Sequence, residues 1–182
     1  MSVRPLAAVA LASALVAGCV TAPSPSEYRA PQPLKPIDAE RLYSGRWLEI
    51  ARLPMSITDG CVAGASNYVL VNPTRVDVLD TCQVGTPDGR EKAIGGRGEI
   101  VDPGTNAKMR VRYLAGFVTW EYWVLDRADD YSWFISADPT FEKLFIYTRE
   151  VPSERELAAL VARAQALGYD VSRLEFPATA AQ

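Results

Sequence analysis

The chain has 182 residues, with 19 Lys and Arg against 22 Asp and Glu, three cysteines and no histidine. Its length suits one globular domain, and the missing histidine excludes Ser-His-Asp catalysis, Cys-His catalysis and histidine-bound zinc. The formal net charge of −3 argues against nucleic-acid binding, which needs a basic surface.

The N-terminus has the layout of an export signal. Arg4 precedes a short apolar run that ends in Val16-Ala17-Gly18-Cys19. The run is shorter than the roughly 20 residues of a membrane span, so it predicts a cleaved signal peptide over residues 1–18. The small residues before Cys19 resemble a bacterial lipobox, which predicts acylation of the Cys19 sulfur; an ordinary signal peptide with a coincidental cysteine is the alternative. Val20, in place of an Asp that retains lipoproteins in the inner membrane, favours the outer membrane.

A proline-rich stretch follows over residues 19–37. It holds five prolines between Pro23 and Pro36. Proline fixes φ and removes a backbone donor, so we expect an extended tether that carries the lipidated Cys19 and stays outside the core. The folded domain is then expected over residues 38–182.

From Ser44 onward, short β-rich runs alternate with turn residues, a pattern typical of a barrel or sandwich. Eight antiparallel strands are enough to close a barrel around one small ligand. The pattern therefore predicts a mainly β fold, an eight-stranded antiparallel up-and-down barrel. The predicted strands cover residues 46–53, 63–71, 75–81, 92–101, 107–114, 118–125, 131–136 and 143–148.

The C-terminal part departs from this β pattern. Ser153 and Glu156 form a capping box, and apolar residues recur at helical spacing from Leu157 to Leu167. These features predict one amphipathic C-terminal α-helix, packed on the outside of the barrel. A ninth strand is expected from Val171 to Phe176.

Three motifs lie at the beginning, middle and end of the predicted barrel. They are Gly45-Arg46-Trp47 with EIAR behind it, Tyr122-Trp123-Val124-Leu125 with the turn after it, and Leu144 through Arg149. Together they resemble the lipocalins, and among these the bacterial lipoprotein branch related to apolipoprotein D and to plant temperature-induced lipocalins. The resemblance implies a calyx in which Gly45, Trp47 and Arg149 are structural. A guanidinium over the Trp47 ring would close the narrow end through a cation–π contact.

Cys61 and Cys82 lie before the second predicted strand and after the third. An oxidising envelope compartment favours a disulfide between them, and the resemblance implies the same. Two free buried thiols are the alternative.

Aromatic side chains on the strands are the candidates for a ligand pocket, because wide aromatic walls suit an acyl chain. The candidates are Tyr68, Tyr113, Trp120 and Tyr122. Arg110 or Arg112 is a candidate partner for a carboxylate or phosphate head group at the rim, with simple solvation of these charges as the alternative. The glycines over residues 95–98 are expected to form a bulge or bend in a strand.

The resemblance implies a membrane-anchored lipocalin that binds, stores or transports a hydrophobic ligand in the cell envelope. The expected ligand is a fatty acid, lysophospholipid or phospholipid, and the expected location is the periplasmic side of the outer membrane. No cofactor, metal or catalytic residue is expected, and monomer and dimer remain open. One alternative is an interaction lipoprotein whose barrel is filled by its own aromatics. Another is a lipid-acting enzyme, for which the sequence has no nucleophile and base.

Overall fold

A computed structural model describes residues 22–178; the predicted signal peptide, residues 1–18, and Cys19 lie outside the described residues. Eight antiparallel strands form a closed barrel in which each strand pairs with the next and β8 pairs with β1. The predicted up-and-down barrel is thus confirmed. The strands are β1 Ser44–Arg52, β2 Cys61–Asn72, β3 Arg75–Val84, β4 Glu91–Ile100, β5 Lys108–Tyr113, β6 Val118–Arg127, β7 Trp133–Ala137 and β8 Leu144–Thr148.

Two α-helices flank the barrel in the described part of the chain. The short α1, Ala39–Leu42, precedes β1 and was not expected; the Asp38 carboxylate caps it by accepting from the Glu40 and Arg41 amides. The predicted C-terminal helix is confirmed as α2, Glu154–Ala166, which begins with the capping box of Ser153 and Glu156. Between residues 22 and 178, no helix has the length and apolarity needed to cross a bilayer.

Two hydrophobic clusters lie on opposite faces of the sheet. The inner cluster fills the end of the barrel where β1 begins, around Tyr43, Trp47 and Phe134. The outer cluster joins Leu160 and Ala164 of α2 to the outward side chains of β1, β6, β7 and β8. Both alternating sets of β6 are therefore apolar because both faces of that strand are covered.

The closed end is held by the residues of the first and last motifs. The Arg149 guanidinium lies 3.5 Å from the Trp47 ring centroid and donates to the Ser44 carbonyl at 2.8 Å. It also donates to the carbonyls of Arg46 and Arg41, both at 2.9 Å. Gly45 has a φ of +66°, and a Cβ there would lie 3.5 Å from Arg149 Nη1. Arg149 thus ties the start of β1 and the end of α1 to the end of β8.

The predicted tether over residues 19–37 is wrong from Tyr28 onward. The Tyr28 ring packs edge-on against Trp123 at 5.0 Å between centroids. The amides of residues 29, 30, 34 and 37 donate to carbonyls of the barrel loops and of β6. Proline does favour an extended backbone here, but this backbone covers the apolar outer face of β6 instead of leaving the domain. The folded unit therefore begins near residue 28, not at residue 38.

The predicted ninth strand from Val171 to Phe176 is also wrong. Val171–Arg173 form a 3-10 turn, and pairing with the barrel is limited to one bridge between Glu175 and Arg52. β8 already pairs with β1, so closure leaves no free sheet edge for a further strand.

We expect the substitution Tyr28→Ala to lower the free energy of unfolding by roughly 2 kcal/mol, because it removes the ring from Trp123 and a hydroxyl that donates to Glu121. Urea unfolding measures this change. Leu34→Ala is the matched control in the same segment, since Leu34 is 62% exposed, and it should change stability by less than about 0.5 kcal/mol. If both substitutions changed the free energy of unfolding by an equal and negligible amount, the segment from Tyr28 would instead be the free tether expected from the sequence.

Candidate ligand-binding cavity

The barrel encloses a cavity of about 370 Å³ toward its open end, the end with the β1–β2, β3–β4 and β5–β6 loops. Val78, Ile94, Val111 and Phe145 contribute to its apolar wall. The volume lies in the range of sites for small organic molecules, which are typically concave and mostly apolar.

The four aromatic residues that the sequence singled out all line this cavity: Tyr68, Tyr113, Trp120 and Tyr122. The Trp120 ring lies edge-on to Tyr113 at 5.9 Å and to Tyr122 at 6.1 Å between centroids. Tyr122 lies in turn 6.2 Å from Phe145 on β8. The aromatic rings of β5, β6 and β8 thus form one continuous side of the cavity.

The expectation that Arg112 or Arg110 binds a head group at the rim is wrong. β5 turns Val111 and Tyr113 inward, so the alternating arginines lie on the outer surface. Arg112 is half exposed and pairs with Glu99 at 3.4 Å. Arg110 pairs at 3.0 Å with Glu121, which also accepts from Tyr28 and Trp123 on the outside of β6.

The glycine-rich stretch of β4 makes room inside the barrel and does not form a bulge. Its pairing with β3 is continuous from Glu99 to Glu91. A Cβ at Gly96 would lie 2.5 Å from Val111 Cγ1, and one at Gly98 would lie 2.6 Å from Met109 Sδ. The missing side chains of β4 thus leave space for those of β5.

A buried ion pair inside the barrel was missed at the sequence level. The register of β1 against β8 shifts between Glu49 and Ala51, so that Glu49 and Arg52 both line the cavity. Arg52 Nη1 lies 2.6 Å from Glu49 Oε1, and Arg52 also pairs with Glu175 at 2.9 Å. Burial raises the pKa of Glu49, and Arg52 opposes that shift. Strict alternation could not predict this pair, because only a bulge places residues three apart on one face.

A second buried carboxyl, that of Asp80, lies on the cavity wall. Its two oxygens accept from Ser66 Oγ and from the Tyr113 hydroxyl, each at 2.6 Å. Burial raises the pKa of Asp80, and the two hydrogen bonds oppose that shift. The sequence signal was available, since Asp80 follows Val76 and Val78 at alternate positions of β3 and therefore shares their inward face.

The disulfide between Cys61 and Cys82 is present, with 5.5 Å between the two Cα atoms. It joins the start of β2 to β3 beside the cavity, and both cysteines line the wall. A bridge that closes a loop of this size contributes about 3 kcal/mol in the chain-entropy description. The predicted pairing is confirmed, and the alternative of two free thiols is excluded.

A family sequence model described as a lipocalin-like domain matches residues 37–179. The chain belongs to the lipocalin-like family. It is 31% identical to temperature-induced lipocalin-1 of Arabidopsis thaliana over 158 residues, which are 82% of this chain and 83% of that protein. It is 27% identical to the outer membrane lipoprotein Blc of Vibrio cholerae over 168 residues, 90% of this chain and 92% of that protein.

Other similarities agree with this family and fold. The match to a protein of Acanthamoeba polyphaga mimivirus that is named as a lipocalin is 36% identical over 83 residues and spans 46% of this chain and 43% of that protein. Among solved structures, insecticyanin of Manduca sexta superimposes with a TM-score of 0.61 at 18% identity, over 83% of this chain and 86% of that one. The lipocalin barrel expected from the sequence motifs is therefore confirmed.

Because the pKa of Asp80 is raised, we expect the free energy of unfolding to depend on pH through this group. Between the unfolded and the folded pKa, the folded protein binds more protons than the unfolded one, so this group's contribution to stability falls as the pH rises through that range. Asp80→Asn removes this dependence and leaves Glu49 in place. The stability of the parent relative to Asp80→Asn should therefore increase between about pH 7 and about pH 4 in urea unfolding. A difference that stays constant, or decreases as the pH falls, would contradict the buried carboxyl.

Proposed function

We propose that this lipocalin binds, stores or transports a small hydrophobic ligand of the cell envelope, such as a fatty acid, a lysophospholipid or a phospholipid. The observation that carries the proposal is the cavity of about 370 Å³ with an aromatic side, inside a closed barrel. Family membership and the apolar wall both support a small hydrophobic ligand. The open volume argues against a barrel filled entirely by its own aromatics.

Binding fits the polar groups of the cavity better than catalysis. Ser66 Oγ donates to Asp80, and the chain has no histidine to act as its base. The other buried acid, Glu49, pairs with Arg52. Among the described residues, both cavity carboxyls thus have partners within the protein, Ser66 and Tyr113 for Asp80 and Arg52 for Glu49.

We place the protein on the periplasmic side of the outer membrane, anchored through acyl chains on Cys19. The export layout of residues 1–18 supports this, as does the similarity to a protein whose name is outer membrane lipoprotein Blc. The disulfide between Cys61 and Cys82 suits an oxidising envelope compartment.

The path of the N-terminal segment supports a mouth that faces the bilayer. The Arg29 and Ala30 amides donate to the Pro139 carbonyl in the β7–β8 loop, at the open end of the barrel. Eight residues then separate Cys19 from Tyr28, and Pro25–Glu27 among them form a 3-10 turn, so the reach is less than the roughly 28 Å of a fully extended chain. Exposed apolar side chains lie on the loops of this same end: Ile57, Leu114 and Phe117. A ligand could then pass between bilayer and cavity over a short distance.

The substitution Ile94→Trp tests the cavity as the binding site. Ile94 is partly buried and lines the cavity, so the larger ring should occupy ligand volume and reduce bound lipid at least about tenfold. Native mass spectrometry and lipid extraction of the purified protein measure the bound lipid, and displacement of a fluorescent fatty acid measures affinity.

Leu79→Trp is the matched control, because Leu79 lies on the neighbouring strand, one residue from Ile94's cross-strand partner, and its side chain is 45% exposed on the outer surface. It should retain the lipid of the parent. A parent protein that carries no lipid and binds none of a broad lipid panel would refute the transport function.

Cys19→Ser tests the anchor. Loss of the acyl chains should move the protein from the membrane to the soluble fraction and abolish labelling by radioactive palmitate. Val20→Ala keeps the cysteine and should leave both unchanged. A Cys19→Ser protein that stays in the membrane would identify the N-terminus as something other than a lipid anchor.

A further inference from the structure

Asp80 differs from Glu49, the other carboxyl in the cavity wall, in having no counter-charge. Among residues 22–178, no lysine or arginine nitrogen comes within ion-pair distance of its carboxyl. Two basic residues line the cavity, but Arg52 is already paired with both Glu49 and Glu175. The other, Lys92, is exposed at the mouth. An uncompensated carboxylate in an apolar site is costly, and a ligand cation would offset that cost.

The Asp80 carboxyl also keeps free hydrogen-bonding capacity toward the cavity. An ionised carboxyl has about four acceptor sites, and Ser66 and Tyr113 occupy one on each oxygen. Asp80 is itself part of the cavity wall and partly accessible from it. A donor on a ligand can therefore reach it without displacing either internal partner.

The rings around Asp80 favour positive charge over negative charge. Tyr113 touches Asp80 directly, and Trp120 and Tyr122 continue the same aromatic side. The faces of aromatic rings attract cations through their quadrupoles. Burial first, and then the charge of Asp80, raise the pKa of the Tyr122 hydroxyl.

We propose that Asp80 anchors a cationic head group, so that the cavity takes a compact amphiphile whose protonated amine pairs with Asp80 and whose apolar body lies against Trp120 and Ile94. This inference rests on the proposed function and specifies the ligand class of the same site. An amine-bearing lipid or other amphiphilic amine binds in preference to a free fatty acid, because a second carboxylate at this depth would repel Asp80.

Three soluble probes with one apolar body separate the head group from the rest of the ligand. They are 4-phenylbutylamine, 4-phenylbutanol and 4-phenylbutanoate, titrated calorimetrically into the full chain in lipid nanodiscs, with empty nanodiscs as the blank. The amine should bind at least about tenfold more tightly than the alcohol, a difference of about 1.4 kcal/mol, and the carboxylate should bind most weakly. This ranking on the parent protein needs no variant.

Asp80→Asn keeps the size of the side chain and removes its charge. It should reduce the affinity for the amine about tenfold and change the affinity for the alcohol less than about twofold. Asp77→Asn is the matched control on the same strand, because Asp77 is exposed on the outer surface, and it should leave the three affinities unchanged.

The outcomes distinguish this inference from the proposed function. If the parent binds the amine and the alcohol equally, or if Asp80→Asn retains the preference for the amine, Asp80 is only an acceptor for Ser66 and Tyr113, while the cavity still binds hydrophobic ligands. If the parent binds none of the three probes and carries no extractable lipid, both the inference and the proposed function are overturned.

Discussion

The alternation of side chains across a closed sheet is the constraint on which this structure depends. Once β8 pairs with β1, every strand has one set of side chains inside the barrel and one outside. The inner set must fill the closed end around Trp47 and leave space at the open end, and Gly96 and Gly98 on β4 leave room for the inward side chains of β5. The outer set on β1 and on β6 to β8 is apolar as well, so it requires a cover.

The need to cover this apolar outer face explains why the segments before and after the barrel pack against it. α2 and the C-terminal residues cover one portion of the outer apolar face, and the N-terminal segment from Tyr28 covers Trp123 on β6. The prolines keep this segment extended, which suits a backbone that runs along a sheet surface and donates to a few carbonyls. The proline-rich composition therefore predicts the backbone conformation of this segment, but it does not predict whether the segment packs against the folded domain.

The polar groups inside the barrel give the cavity its chemical character. Arg52 lies against Glu49 through a bulge and is held by Glu175, so its charge is satisfied within the protein. Asp80 has hydroxyl partners but no cation. Because Glu49 has a counter-charge and Asp80 has none among the described residues, the aromatic cavity contains one carboxyl whose charge is not compensated within the protein. We therefore infer that a ligand-binding barrel with this interior discriminates by the charge of the ligand as well as by its apolar area.

The sequence by itself determined the eight strands and the capped helix, because period-two alternation, turn residues and a capping box are local signals. The resemblance of three motifs to the lipocalins added the closed barrel and favoured the disulfide. The sequence also identified Tyr68, Tyr113, Trp120 and Tyr122 as residues of the cavity. Tertiary structure decided what alternation cannot encode. It set the bulge that brings Glu49 to Arg52, and it turned Arg110 and Arg112 outward by the registers of β5 and β6. It also packed the N-terminal segment against β6, since only the folded sheet presents the apolar surface that holds this segment.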